Sequence, residues 1–123
     1  MYNVSYNGII TVNRGDSFTL PLYLSSGNPD DETSIVMDDY SFIYFGVMEP
    51  NEPFENAILR KKFSKADTDV NGNIPMHFVP NDTQCLLPGK YYYQIKLQIV
   101  DPNDSNKYDT YTIVDKTQFY ILE

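Results

Sequence analysis

Asp67, Asp69 and Asn71 set three oxygen-bearing side chains at alternate positions, followed by Gly72 and Ile74. This is the opening of a calcium-binding EF-hand loop, which wraps a hard cation in oxygens and closes with a bidentate Glu at its twelfth position. Here that position is Phe78, and the residues from Ile74 onward alternate as a strand and not as a helix. A tight turn at Asn71-Gly72 accounts for the pattern, and whether Asp67, Asp69 and Asn71 bind calcium stays open. Asp101-x-Asn103-x-Ser105 is a poorer copy, without the glycine or the final acid. Arg14-Gly15-Asp16 matches an integrin-recognition tripeptide, but three residues recur so often by chance that a tight turn at a strand entry is the reading.

His77 shares the outward parity of Pro75 and Val79 and has no second His or Cys at ligand spacing, so it reads as a surface histidine. Cys85, among Thr83, Leu86 and Leu87, reads as a small buried apolar side chain, with no adjacent base to activate a thiolate. Arg60, Lys61, Lys62 and Lys65 form the basic patch, read either as solvated strand ends or as a surface for an acidic partner. Tyr23 and Tyr92, with Tyr120, are candidates for an exposed aromatic binding face. Catalysis needs a nucleophile, a base and an orienting group. A chain with one His and one Cys offers little for it, so we expect no enzyme, no cofactor and no resident metal.

The elements that carry these residues alternate with turn signals. Tyr91, Tyr93, Ile95, Leu97 and Ile99 fall on one face of a long strand after Pro88-Gly89, and Tyr92, Gln94, Lys96 and Gln98 on the other. That period requires a sheet with one dry and one wet face. A tyrosine just after such a turn also suits a tyrosine corner, its hydroxyl tying the turn to the next strand of a Greek-key sandwich. Upstream, Ile9–Val12 reads as a short strand, and Phe18–Leu24 as a second with Phe18, Leu20, Leu22 and Leu24 inward. Pro21 in it requires an edge position or a site facing away from a neighbour. Ser25–Asp39 is the longest loop and holds five acids, Asp30, Asp31, Glu32, Asp38 and Asp39. Tyr40–Met48 is a nearly continuous apolar strand, and Glu49–Asn56 a Pro-punctuated loop.

Ala57–Phe63 suits a short helix as well as a strand; we favour the strand, because Asn71-Gly72 then closes a hairpin onto Ile74–Val79. Pro80–Leu87 holds one helical turn started by Asp82-Thr83. After the long strand comes a loop at Asp101–Asn106, then Tyr108–Val114 and, past a bend at Asp115-Lys116, Thr117–Leu122. About eight strands without repeat or linker imply a single domain over residues 1–123. The expected fold class is all-β, an immunoglobulin or fibronectin III-like antiparallel sandwich of roughly 7–9 strands.

Composition narrows the function. Eleven Tyr, seven Phe and no Trp favour strands, and 123 residues suffice for one core. A net charge of −8 argues against nucleic-acid binding, which needs cations to displace counterions from phosphate. No apolar run approaches the ~20 residues of a membrane helix. One cysteine excludes an internal disulfide, and no signal peptide opens the chain, so assembly in a cytoplasm is expected over secretion.

Several stretches bear a family likeness: Ile9-x-x-Val12-x-Arg14-Gly15-Asp16-Ser17-Phe18-x-Leu20, then Phe42-x-Tyr44-Phe45-x-Val47 and Gly72-x-Ile74. Asp82-Thr83-x-x-Leu86-Leu87-Pro88-Gly89-x-Tyr91-x-Tyr93-x-Ile95-x-Leu97 and Thr112-Ile113-Val114-x-x-x-x-Phe119-x-Ile121 complete the set. Over Ile9 to Leu122 the chain resembles the small immunoglobulin-like domains of tailed bacteriophages, such as the amino-terminal domain of baseplate upper proteins. The resemblance implies a virion structural part at a baseplate, tail, neck or head surface, made in the host cytoplasm and docking onto other virion proteins or its own copies. The shaft and receptor-facing regions of baseplate proteins do not follow Glu123, which favours an adaptor or head decoration. Tyr23, Arg60, Lys61, Lys62, Lys65 and Tyr92 are the expected interface residues. The alternative is a carbohydrate-binding module contacting host glycans, with loops 25–39 and 101–107 supplying polar groups but no Trp to stack. A bacterial surface adhesin domain is a third reading, disfavoured by the absent signal peptide.

Overall fold

The computed structural model describes residues 2–5, 7–24 and 35–123. Its strands are β1 (Tyr2–Val4), β2 (Ile10–Asn13), β3 (Phe18–Leu22), β4 (Ser41–Met48), β5 (Leu59–Ser64), β6 (Ile74–Phe78), β7 (Gly89–Asp101) and β8 (Asp104–Leu122), with one short helix, α1 (Pro80–Gln84). Six strands form one sheet in the order β1-β2-β8-β7-β4-β5, and β3 pairs with β6 in a second. The protein is all-β, as its composition requires. The expectation of purely antiparallel pairing fails at one ladder: β2 runs parallel to β8, with Ile10 beside Phe119 and Val12 beside Ile121. The short β1 was not foreseen; three exposed residues carry no alternation to read. The acids Asp30, Asp31 and Glu32 lie outside the described residues.

The period-two reading of β7 holds from Tyr91 to Leu97: Tyr91, Tyr93, Ile95 and Leu97 are buried, while Tyr92, Lys96 and Gln98 face the wet side. Ile99, near the hairpin end, is 40% exposed, so the dry face stops at Leu97. Gln94 breaks the simple pattern by being buried on the outer face, where its Nε2 donates to Asp115 Oδ1 at 3.0 Å. In β4 the inward residues are Ile43, Phe45 and Val47, so Phe42 belongs to the outer face and not to the core. A nearly continuous apolar run hides its own parity; only pairing with β7, which sets Phe45 opposite Ile95 and Phe42 opposite Gln98, decides it.

The two sheets share one apolar core. Phe78 of β6 stacks on Phe18 of β3 at 4.6 Å and meets Phe45 of β4 edge-on at 5.1 Å, which joins the small sheet to the large one. Pro21 and Pro75 face each other in the β3–β6 ladder. Neither has an N–H, so they can oppose one another only where a ladder bond is not required between them, and each leaves a gap in its outer edge. Next to them Thr19 Oγ1 and His77 Nδ1 lie 2.9 Å apart on the exposed side, consistent with the surface reading of His77.

The favoured strand does form, over Leu59–Ser64 and so without Ala57 and Ile58, but the expected hairpin with Ile74–Val79 does not exist. β5 pairs with β4 and β6 with β3, so the intervening segment crosses between sheets. A short 3-10 turn at Lys65–Asp67 ends β5, and Gly72, at φ 81°, turns the chain onward. Such a φ favours glycine.

α1 follows β6 within the expected segment but starts at Pro80, ahead of Asp82-Thr83, because proline suits the first helical turn and Asp82 caps from inside it. Asp82 Oδ2 accepts from the Val79 N–H at 2.8 Å and from Lys61 Nζ at 2.8 Å, tying the β6 end to edge strand β5. Thr83 is the buried residue of this turn, its Oγ1 accepting from the Gly15 N–H at 2.9 Å. Cys85 is exposed, contrary to the sequence reading, because the single helical turn directs Thr83 inward in its place. The Tyr91 hydroxyl donates to the Leu87 carbonyl at 2.6 Å, and that of Tyr93 to the Gly8 carbonyl at 2.6 Å. Tyr91→Phe is expected to lower stability by about 0.5–1.5 kcal/mol in urea unfolding, the net worth of one hydrogen bond. An unchanged midpoint would show that the tie contributes nothing.

β8 is one continuous strand where two were expected. The bend near Asp115-Lys116 is a bulge: Tyr93 pairs with Thr117 but Ile95 with Val114, and Lys96 with Thr112. An extra residue on one strand bends it without ending it. The Lys116 backbone N–H, donating at 2.7 Å, and then the Gln94 side chain hold the Asp115 carboxyl below its usual range.

Candidate functional site

The outer face of the six-stranded sheet gathers most of the candidate chemistry. Register sets Lys62 of β5 and Lys96 of β7 on either side of Tyr44 of β4. The next row holds Arg60, Gly46 and Gln94, and the row before it Ser64, Phe42 and Gln98. Alternation thus brings three cations and two aromatic rings onto one face from strands far apart in sequence.

Phe54 completes this surface from a 3-10 turn, Phe54–Asn56, that folds back over β4. It fits because residue 46 is glycine: a Cβ there would lie 2.6 Å from Phe54 Cε2 and 3.2 Å from the Ala57 Cβ. The result is a cleft of about 510 Å³ walled by Tyr44, Phe54, Arg60, Lys62, Lys96 and Tyr108, with Glu55 its one acid.

Aromatic rings and carbonyls position the cations. Lys62 Nζ stands 4.3 Å from the centre of the Phe42 ring and 5.6 Å from that of Tyr44, and Lys96 Nζ 5.0 Å from that of Phe54. Arg60 donates to the Glu55 carbonyl, and the Tyr44 hydroxyl to Gln98 Oε1 at 3.2 Å. Among the described residues no carboxylate lies within ion-pair distance of Arg60, Lys62 or Lys96. A cation over a ring keeps its charge while the ring orients it, at roughly 0.5–1 kcal/mol when exposed. The arrangement offers positive charge and flat apolar surface to an anionic ligand. The described lining contains no Ser, Cys or His that could act as a nucleophile or general base.

The structure divides the interface residues expected from sequence. Arg60, Lys61 and Lys62 all border the cleft. The Lys61 amino group, though, points to the opposite side: it pairs with Asp82 and lies 5.4 Å from the Phe78 ring centre, closing the core at the β5 edge. Lys65 sits in the turn after β5, 4.0 Å from Asp39 in an exposed pair. Tyr92 is on the same outer face as the cleft, further along β7 with Lys90 Nζ 5.4 Å from its ring centre, and Tyr23 projects into solvent beyond the end of β3. Tyr120 is half-buried.

Sequence reasoning missed Lys96, Gln98, Tyr44, Phe54 and Tyr108 as parts of one site. The wet-face parity of Lys96 and Gln98 was legible, but their neighbours across the sheet were not. The oxygen-rich turn at 67–71 is engaged with its own backbone. Asp67 Oδ2 accepts from the Ser64 N–H at 2.8 Å, and Asp69 Oδ1 from the Asn71 and Asn73 N–H groups at 2.9 and 3.0 Å. No cluster of three or more His, Cys, Asp or Glu suited to a metal occurs among the described residues.

No family model, curated protein or solved structure matches this chain. The functional reading rests on the fold and on the chemistry of the cleft.

Proposed function

We propose that the protein is an immunoglobulin-like β-sandwich of a tailed-bacteriophage virion, a structural part that acts by docking and not by catalysis. Its cleft receives an acidic segment of a neighbouring virion protein at the head, neck, tail or baseplate. Strand order supports the fold. β8-β7-β4-β5 corresponds to the G-F-C-C′ sheet of the immunoglobulin arrangement and β3-β6 to its B–E pair, with a tyrosine tie at the E–F corner.

The observation that carries the functional reading is electrostatic. In a chain of net charge −8, three cations converge on one sheet face with no carboxylate within ion-pair distance among the described residues, Asp115 acting on Lys96 only from further off. An acidic strand or loop laid on this face would pair with them while its apolar residues cover Phe54 and Tyr44, the anchor-and-rim pattern of specific interfaces. A second reading, a carbohydrate-binding module for acidic host glycans, is favoured by the rings of Tyr44, Phe54 and Tyr108 beside the Gln98 amide.

The test is the double reversal Lys62→Glu, Lys96→Glu. Both side chains face outward, so the melting temperature should stay within a few degrees while incorporation into virions, followed by immunoblotting of purified particles, falls by about a hundredfold or more. Normal incorporation would eliminate the cleft as the docking surface. Loss of glycan-array binding in the same variant, with incorporation intact, would favour the sugar reading.

A further inference from the structure

Among the described residues the sheet edges are defended with one exception. β1 is three residues long, and β5 carries Arg60, Lys61 and Lys62 in succession. β3 and β6 each place a proline at mid-strand. These are the devices that keep strand edges from pairing with other chains. β8 is different. β2 covers it only from Phe119 to Leu122, so among the described residues nothing pairs with its far side from Asp104 to Gln118. That stretch includes Tyr108-Asp109-Thr110-Tyr111-Thr112-Ile113, all but Asp109 strong strand formers, with Tyr108 58% and Tyr111 52% exposed.

We propose that this open edge pairs antiparallel with the same edge of a second copy, about a two-fold axis through Tyr108. The charge pattern selects the occupant. Lys107 and Asp109 flank Tyr108 two positions apart and therefore share a face. Antiparallel pairing centred on Tyr108 sets Lys107 opposite Asp109 twice, once on each side of the axis, with the two Tyr108 rings adjacent. Asn106 then faces Thr110 and Asp104 faces Thr112, so no like charges oppose one another. Neither Lys107 nor Asp109 forms an ion pair within the described residues, which leaves both available. The contact is isologous and closes on itself, so it yields a dimer and not a fibre. Because the axis is perpendicular to the sheet, both clefts lie on the same side of the joined sheet, and the dimer presents two docking sites to one surface.

The measurement is sedimentation equilibrium of the full chain over a concentration series. The native chain self-associates as a dimer. Lys107→Asp and Asp109→Lys, made singly, put like charges opposite each other on both sides of the axis and weaken dimerisation at least about tenfold. The double swap Lys107→Asp, Asp109→Lys restores it, which a merely structural role would not produce. A monomer at every concentration, single variants that dimerise normally, or a swap as weak as the singles would each overturn the proposal. Neither residue lines the cleft, so failure here and failure of virion docking are separately readable.

Discussion

Phe78→Ala is expected to destabilise the protein by about 3–5 kcal/mol, the range for removing a fully buried aromatic ring. The residue is completely buried at the centre of the core that the two sheets share. Its ring stacks on Phe18 within the small sheet, meets Phe45 of the large sheet and lies under Lys61 at the β5 edge. Truncation leaves a cavity where the two sheets meet, and partial collapse is opposed by the ladder that fixes Phe78 opposite Phe18. Equilibrium unfolding in urea reads the loss as a lower midpoint at unchanged slope. A loss below about 1 kcal/mol would mean that the site collapses freely and that the sheets are not joined there.

Ile95→Ala is the second large effect, about 2–5 kcal/mol by the same reasoning for a buried aliphatic. It sits at the centre of β7, opposite Phe45 on one side and Val114 on the other, at the point where the β8 bulges shift the register. The informative comparison is Phe42→Ala, a larger truncation on the outer face. Phe42 is half-buried and its main partner is Lys62, so its loss should cost clearly less than that of Ile95. Equal losses would place Phe42 in the core and reverse the register assigned to β4.

The candidate site shows where sequence reasoning runs out. Arg60-Lys61-Lys62 reads in sequence as one basic patch, yet consecutive residues of a strand point to opposite faces. Lys62 therefore joins the cleft while Lys61 closes the core with Asp82. Phe54 came from a loop with no periodic signal, and its place depends on Gly46, a residue whose lack of a side chain matters only once the two are adjacent.

What the sequence determined by itself is what depends on near neighbours along the chain. The strands from β2 to β7, the inward faces of β3, β6 and β7, the turn at Gly72, a helical turn within residues 80–87 and the tyrosine tie before β7 all follow from local periodicity, backbone freedom and capping. Tertiary structure decided what depends on which strands lie side by side: β5 on β4 and not on β6, β2 parallel to β8, the parity of the all-apolar β4, and the open edge of β8. The physical reason is that a strand satisfies only half its requirements alone. Its alternation states which side must be dry, but backbone pairing is indifferent to side-chain identity, so partner and register are chosen by the fit of whole faces in the common core.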